Sequence, residues 1–173
     1  IYIYKMQKKK TILVLCTGNI CRSPMAEGIL KKYLNSDKFN VISAGTNTTD
    51  GFPASSFVIE ICKENGIDIS RHKSKSINKN IVQKSDIILV MEEEHFLAIK
   101  RYFPSVIKKT FLLKKFPEWS EDIDFTYNID DPISYDFEEY GEIFNEIEHE
   151  VKRIIPELKK YLKIEEDSNN KNR

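Results

Sequence analysis

The chain is poor in cysteine, with three in 173 residues, and three cannot pair into the disulfide framework of a small secreted domain. Cys16 and Cys21 lie close together and Cys62 far off, a distribution that suits a reducing cytosol, hence a cytoplasmic protein, with at least one thiol kept for its chemistry. An excess of one charge is also missing, since 27 Lys and Arg balance 27 Asp and Glu. Nucleic-acid binders carry a basic surplus, so nucleic acid is not an expected partner. No apolar run approaches the roughly 20 residues that cross a bilayer, and no membrane partner is expected. The first ten residues, IYIYKMQKKK, hold four lysines without the apolar stretch and small-residue site of a signal peptide. Met6 is a candidate natural start. Internal repeats are absent as well. This length suits one domain with a real core: a flexible extension over 1–9, the domain over 10–164, and a polar, disordered tail over 165–173.

What is present is an alternation of buried strands and amphipathic helices. TILVL (11–15) is a continuous apolar run of the kind buried on both faces of a parallel sheet. FNVISAG (39–45), SDIILVM (85–91) and KKTFLLK (108–114) supply three more strands. Between them, Ser23 is a candidate N-cap with Pro24 at the first helical position, and Met25, Ile29 and Tyr33 share a helical face. Residues 53–67 form a second helix, with Phe57, Val58, Ile61 and Cys62 on one stripe and Gly66 at its C-terminal stop. A third follows the 85–91 strand and carries Phe96 and Ile99. The pattern fails from 115 to 133, an acidic and aromatic stretch with two prolines that predicts a long functional loop. A last helix begins near Asp136, runs from acidic to basic as the helix dipole favours, and should kink at Pro156. The fold class is therefore α/β, a single-domain parallel sheet of four strands with helices on both faces.

Ligands in such sheets bind beyond the carboxyl ends of the strands, and Cys16 ends the first. Cys16-Thr17-Gly18-Asn19-Ile20-Cys21-Arg22-Ser23 leads from that strand into a helix, so its backbone N–H groups can converge on an anion, and a tetrahedral phosphate fits. Gly18 allows backbone angles that a bulkier residue would resist. Arg22 offers a planar fork to two phosphate oxygens. The same positive field favours the Cys16 thiolate as a nucleophile, and the Ser23 hydroxyl can donate to its sulfur. A proton donor for the leaving oxygen must sit apart from the anion loop, and Asp130 and Asp131, before Pro132, are the candidates. Proline holds the residue before it extended, which gives Asp131 a defined direction.

VLCTGNICRSP closely resembles the active-site loop of the low-molecular-weight protein tyrosine phosphatases. The likeness continues, in family order, through ISAGT (42–46), GIDIS (66–70), DIILVM (86–91) and DDP (130–132), covering the chain from about Lys10 to Leu162. It implies a four-stranded parallel sheet with the phosphate-binding loop after the first strand, and hydrolysis of phosphate monoesters with neither metal nor other cofactor. It implies Cys16 as nucleophile, Arg22 as the phosphate clamp and Asp131 as general acid and then base. Thr17, Gly18, Asn19, Ile20, Cys21 and Ser23 complete the phosphate loop. Asn19 and Ser43 resemble the family's supporting shell, and His72 a histidine that often joins it. Members with paired loop cysteines form a reversible disulfide, which by resemblance gives Cys16 and Cys21 a redox role. His95 and His149, in charged helices, are expected to face solvent, and Cys62 to be core.

The likeness weakens at the substrate. Tyrosine-directed members wall the cleft with aromatics after the Asp-Pro pair and after the SAGT-like turn, whereas Ile133, Ser134, Thr48 and Thr49 stand here. Phe52, Trp119, Tyr127 and Tyr135 are the aromatic substitutes. Ile20 matches tyrosine-directed members, while phosphoarginine phosphatases usually carry Thr there. The expectation is a monomeric enzyme acting on phosphotyrosine in protein substrates. Phosphoarginine hydrolysis is the runner-up. Arsenate reduction, which needs further relay cysteines, and a non-catalytic phosphate-binding domain rank lower.

Overall fold

The structure, a computed structural model, describes residues 8–164. The tail at 165–173 and all but the last two residues of the 1–9 extension lie outside the described residues. Four parallel strands, β1 (Lys10–Cys16), β2 (Phe39–Gly45), β3 (Ile87–Val90) and β4 (Thr110–Leu112), form one sheet in the order β2-β1-β3-β4. The register sets Cys16 beside Gly45 and Leu15 beside Val90, so β1, β2 and β3 finish at one edge. Strand order reverses at β1, and loops diverging from such a switch point leave a crevice at the carboxyl edge.

Alternation along β1 divides the core. Ile12, Val14 and Cys16 face one apolar layer, beneath helices α1 (Arg22–Tyr33), α2 (Ser56–Glu64) and α5 (Phe137–Tyr161). Leu13 and Leu15 face the other, beneath α3 (Lys79–Lys84) and α4 (Glu93–Tyr102). Burying both faces of the central strands removes hundreds of Å² of apolar surface from water, at about 25 cal/mol per Å². That sheet is the platform from which the loops project.

Several expectations change. Helix α1 begins at Arg22 rather than after Ser23, Cys21 precedes it without a side-chain cap, and Pro24 lies inside the first turn. The Ser23 hydroxyl is engaged by Cys16 and Asn19 instead. Pro156 neither splits nor ends α5, which continues to Tyr161. Pro156 sits on the exposed face, where water reaches the carbonyl its ring leaves unpaired, while buried Val151, Ile154 and Leu158 hold both halves to the sheet. The 115–133 stretch contains short 3-10 turns at Phe125–Tyr127 and Pro132–Ser134. Helix α3 and a 3-10 turn at Pro104–Lys109 were not legible in the pattern. Helix α5, by contrast, begins beside Asp136 as expected, and Asp136 caps it, accepting from the Glu139 N–H at 3.1 Å.

Candidate active site

The 16–23 loop turns its carbonyls outward. The Cys16 oxygen accepts from the Thr46 N–H (2.9 Å), that of Thr17 from Asn47 (3.0 Å), that of Ile20 from Ser55 (2.9 Å) and that of Cys21 from Met25 (3.2 Å). The Asn19 oxygen accepts from His72 Nε2 at 2.7 Å. In a planar trans peptide the next N–H points opposite to each carbonyl. The N–H groups of Thr17, Gly18, Ile20, Cys21 and Arg22 therefore turn to the concave side, where they join the uncapped first turn of α1.

Cys16 Sγ lies at the base of this cup, 2 % exposed. It receives the Asn19 N–H at 3.3 Å and stands 3.0 Å from Ser23 Oγ. Because Ser23 Oγ accepts from Asn19 Nδ2 at 2.8 Å, its own proton is free to point at the sulfur. Asn19 is the left-handed residue of the loop, with φ 54°. Gly18 is not: its backbone lies outside that region, and an added Cβ would meet only Ile20 Cγ1 at 3.6 Å. Asparagine tolerates this conformation, and its side chain secures it by donating to Ser43 Oγ at 2.9 Å and accepting from the Lys75 N–H at 2.9 Å. The glycine that the geometry requires is Gly45, where a Cβ would lie 2.6 Å from the Thr17 carbonyl oxygen.

Arg22 is 1 % exposed. Nη1 donates to the Ile129 carbonyl and to Glu92 Oε2, both at 2.8 Å, and Nη2 to Asp131 Oδ2 at 3.1 Å. Burial alone would lower its pKa, but the negative charges of Cys16, Glu92 and Asp131 outweigh it and hold the guanidinium protonated. Its Nε is the one buried side-chain polar atom without a partner among the described residues. A buried unpaired donor is expensive, and here it belongs to the side chain that closes the cup. Asp131 is half-buried, with Oδ1 accepting from Ile133 N–H at 3.2 Å. Asp130, its neighbour, is exposed.

A strand-end cysteine in a cup of amides, a buried arginine and an aspartate before proline form one contiguous unit. The family model for low molecular weight phosphotyrosine protein phosphatase matches residues 11–164. The chain belongs to that family. The probable low molecular weight protein-tyrosine-phosphatase EpsP of Ralstonia solanacearum is 33 % identical over 150 residues, 87 % of this chain and 97 % of that protein. An arsenate reductase of Staphylococcus aureus is 48 % identical over 83 residues, only 48 % of this chain and 60 % of its own. Among solved structures, the YwlE arginine phosphatase from Geobacillus stearothermophilus superposes with a TM-score of 0.79 at 32 % identity, over 91 % of this chain and 99 % of its own.

The low-molecular-weight phosphatase fold also brings to the cup residues that sequence reasoning missed. Most prominent is His95, expected at the surface and found fully buried. It follows β3, whose carboxyl end adjoins that of β1, so the start of α4 faces the phosphate loop. Its Nδ1 accepts from the Glu92 N–H at 3.1 Å, which leaves the proton on Nε2, 2.9 Å from Thr17 Oγ1. Thr17 Oγ1 in turn donates to Glu94 Oε1 at 3.1 Å. Burial, with Arg22 adding repulsion, pushes the His95 pKa down to about 3, so the ring is neutral. Glu27 was missed too: it accepts from Ser43 Oγ at 2.6 Å and lies 4.0 Å from His72 Nδ1. His72 is thus part of the loop's surroundings, and His149 is exposed as expected. Cys21 is buried, 3.7 Å from the Tyr140 hydroxyl, and burial pushes its thiol up to about 11. Cys62 is fully buried on α2, its thiol pushed up by burial to about 12.

Of the four aromatic substitutes, Trp119 and Tyr127 pack into the α4-side layer and take cation contacts from Lys108 and Lys115. Phe52 and Tyr135 remain exposed, as does Ile133. Glu92, Glu94 and His95 cluster closely enough to hold a metal ion, yet Glu92 is bound to Arg22 and the His95 nitrogens to Thr17 and Glu92. No helix among the described residues is long and apolar enough to cross a membrane.

Proposed function

We propose that the protein removes phosphate from phosphotyrosine in protein substrates through a cysteinyl-phosphate intermediate, without metal or cofactor. The observation that supports this most is the outward turn of five loop carbonyls around a buried cysteine sulfur, which leaves the opposing N–H groups for a phosphate. In the first step the Cys16 thiolate attacks phosphorus in line and the P–O bond to the phenol breaks. Asp131 passes its proton to the departing oxygen. In the second, Asp131 takes a proton from water as that water attacks phosphorus and the P–S bond breaks, returning the thiolate. The inward N–H groups and Arg22, through the unpartnered Nε, hold the equatorial oxygens in both steps. Ser23 stabilises the sulfur as it leaves, while Asn19, Ser43 and His72 keep the loop in shape. When peroxide oxidises Cys16 to the sulfenic acid, the Cys21 thiol condenses with it, forming a disulfide and releasing water. A monomer acting in the cytoplasm fits this chemistry.

Phosphoarginine is the second reading, supported by the likeness to an arginine phosphatase and by exposed Ile133 after the Asp-Pro pair. Arsenate reduction has less support, because buried Cys62 makes a poor disulfide relay. Turnover of an aryl phosphate is the test. Cys16→Ser abolishes it, and Asp131→Asn slows it by about 10²–10³-fold, least for substrates with good leaving groups. Unchanged turnover in Cys16→Ser would overturn the assignment, and parallel assays on phosphotyrosine and phosphoarginine peptides decide between substrates.

A further inference from the structure

A cavity of about 590 Å³ lies beside the phosphate loop, and none of Cys16, Arg22 or Asp131 lines it. Its inner wall is Glu27, Ser43 and His72, the groups that surround Asn19. Ile67 and Ile69 floor it, brought against α1 because residue 28 is glycine: a Cβ there would lie 2.7 Å from Ile67 Cγ2. The rim is basic. Five cations line the cavity against two carboxylates, Glu27 and Asp68, in a chain whose net charge is zero. Lys31 is paired with Glu27, and Lys32 donates to the Asn65 carbonyl. The exposed side chains of Arg71, Lys73 and Lys75 make no close ion pair among the described residues, although Arg71 adds to the hydrogen bonds from Ser70 in holding the Asp68 carboxyl below the usual range. They stand at alternate positions of a segment that is pinned at both sides, by His72 on the Asn19 carbonyl and by the Lys75 N–H on the Asn19 side chain.

We propose that this cavity is a second anion site, which takes a small oligophosphate and whose occupation weakens binding of the phosphoester at the cup. Concentrated positive charge over a low-dielectric floor selects ligands with several clustered negative oxygens. The wall reaches the cup through one residue, since His72 holds the Asn19 carbonyl and the Asn19 N–H lies 3.3 Å from the Cys16 sulfur, so charge bound there opposes entry of a second phosphate dianion. The binding half of the proposal is independent of the proposed function; the kinetic half rests on it.

Inorganic tripolyphosphate is titrated calorimetrically into protein whose cup is saturated with orthovanadate. We expect one site with a sub-millimolar Kd. The double variant Arg71→Gln, Lys73→Gln should weaken it about tenfold or more, and Arg71→Lys, Lys73→Arg should hold it within about threefold. In unblocked enzyme tripolyphosphate should raise KM for an aryl phosphate, and the glutamine variant, whose KM without oligophosphate stays near wild type, should lose the part of that rise not due to competition at the cup. Tripolyphosphate that displaces vanadate one for one, or binding that survives equally in the glutamine variant, overturns the site. Equal binding of citrate overturns the assignment to phosphate. Absence of any vanadate heat strikes the proposed function instead, and the titration then runs on the unblocked chain.

Discussion

The phosphate cup and the rim of its cleft are built in opposite ways. In the cup, Asn19, Ser23, Ser43 and Arg22 are buried, and each is held by two or more hydrogen bonds or ion pairs. The residues expected at the rim, Phe52, Ile133 and Tyr135, are exposed. Buried polar networks hold geometry to fractions of an ångström because each broken bond leaves a desolvated partner. Exposed apolar side chains do no such work, and a ligand can reorder them at small expense. On the proposed function, the chemistry belongs to the fixed region and substrate choice to the adjustable one.

The comparison breaks hardest at Arg22. Lysine keeps the charge and loses the fork, so it can satisfy only part of the set formed by Ile129, Glu92 and Asp131. Arg22→Lys should lower kcat for an aryl phosphate by about 10³-fold, as measured by steady-state kinetics, with folded circular dichroism retained. A loss below about tenfold would mean that the guanidinium does not engage the transferring phosphoryl group.

Asn19 tests the cup without touching the substrate. Alanine removes the bonds to Ser23, Ser43 and Lys75 and strains a backbone at φ 54°. Asn19→Ala should cost about 2–4 kcal/mol in urea denaturation and slow turnover by about 10–100-fold. Asn19→Gly, which relieves the strain but not the lost bonds, should recover part of the stability and little of the rate.

Much of the cup was readable because it is local. Cys16 through Ser23 form eight consecutive residues, and a buried strand running into a helix fixes where they point. Asp131, directed by Pro132, lies against Arg22, whereas its neighbour Asp130 is exposed. What the pattern hid is contributed from a distance. Glu27 lies on the helix after the cup, and its bond to Ser43 depends on how α1 packs on β2. The run Glu92-Glu93-Glu94-His95 reads as a solvated helix start by composition alone. The available signal was positional: the run follows a buried strand, so it emerges at the same sheet edge as Cys16. Gly18 failed the opposite way, since a glycine in a tight loop suggests the left-handed position that Asn19 occupies.

His95 gives a pH signature that no rim residue can match. Its folded pKa of about 3 lies below the ordinary 6.5, so the unfolded chain binds the proton more readily. Stability from this group is complete above about pH 6.5 and falls as pH drops toward 3, by up to about 1.4 kcal/mol per pH unit. His95→Asn should flatten that part of the stability curve, followed by urea midpoints at pH 7 and 5. Having lost the donor to Thr17 Oγ1, it should also slow turnover by about three- to tenfold. An unchanged pH slope would place the acid sensitivity elsewhere.

The smallest effect, and the one that sharpens the contrast, belongs to the rim. Ile133→Tyr sets an aromatic beside the Asp-Pro pair and keeps the backbone N–H that donates to Asp131. It should lower KM for a phosphotyrosine peptide about three- to tenfold through ring contact, leave kcat within about twofold, and hardly alter KM for phosphoarginine, whose guanidino group has no ring to stack edge-on in the same way. Phe52→Ala should act in reverse on the tyrosine peptide alone. If both variants changed kcat as much as KM, the rim would be coupled to the cup, and the division between a fixed chemical centre and an adjustable border would fail. If neither changed KM, recognition would lie in the cup itself, with Ile20 the residue of this chain to substitute next.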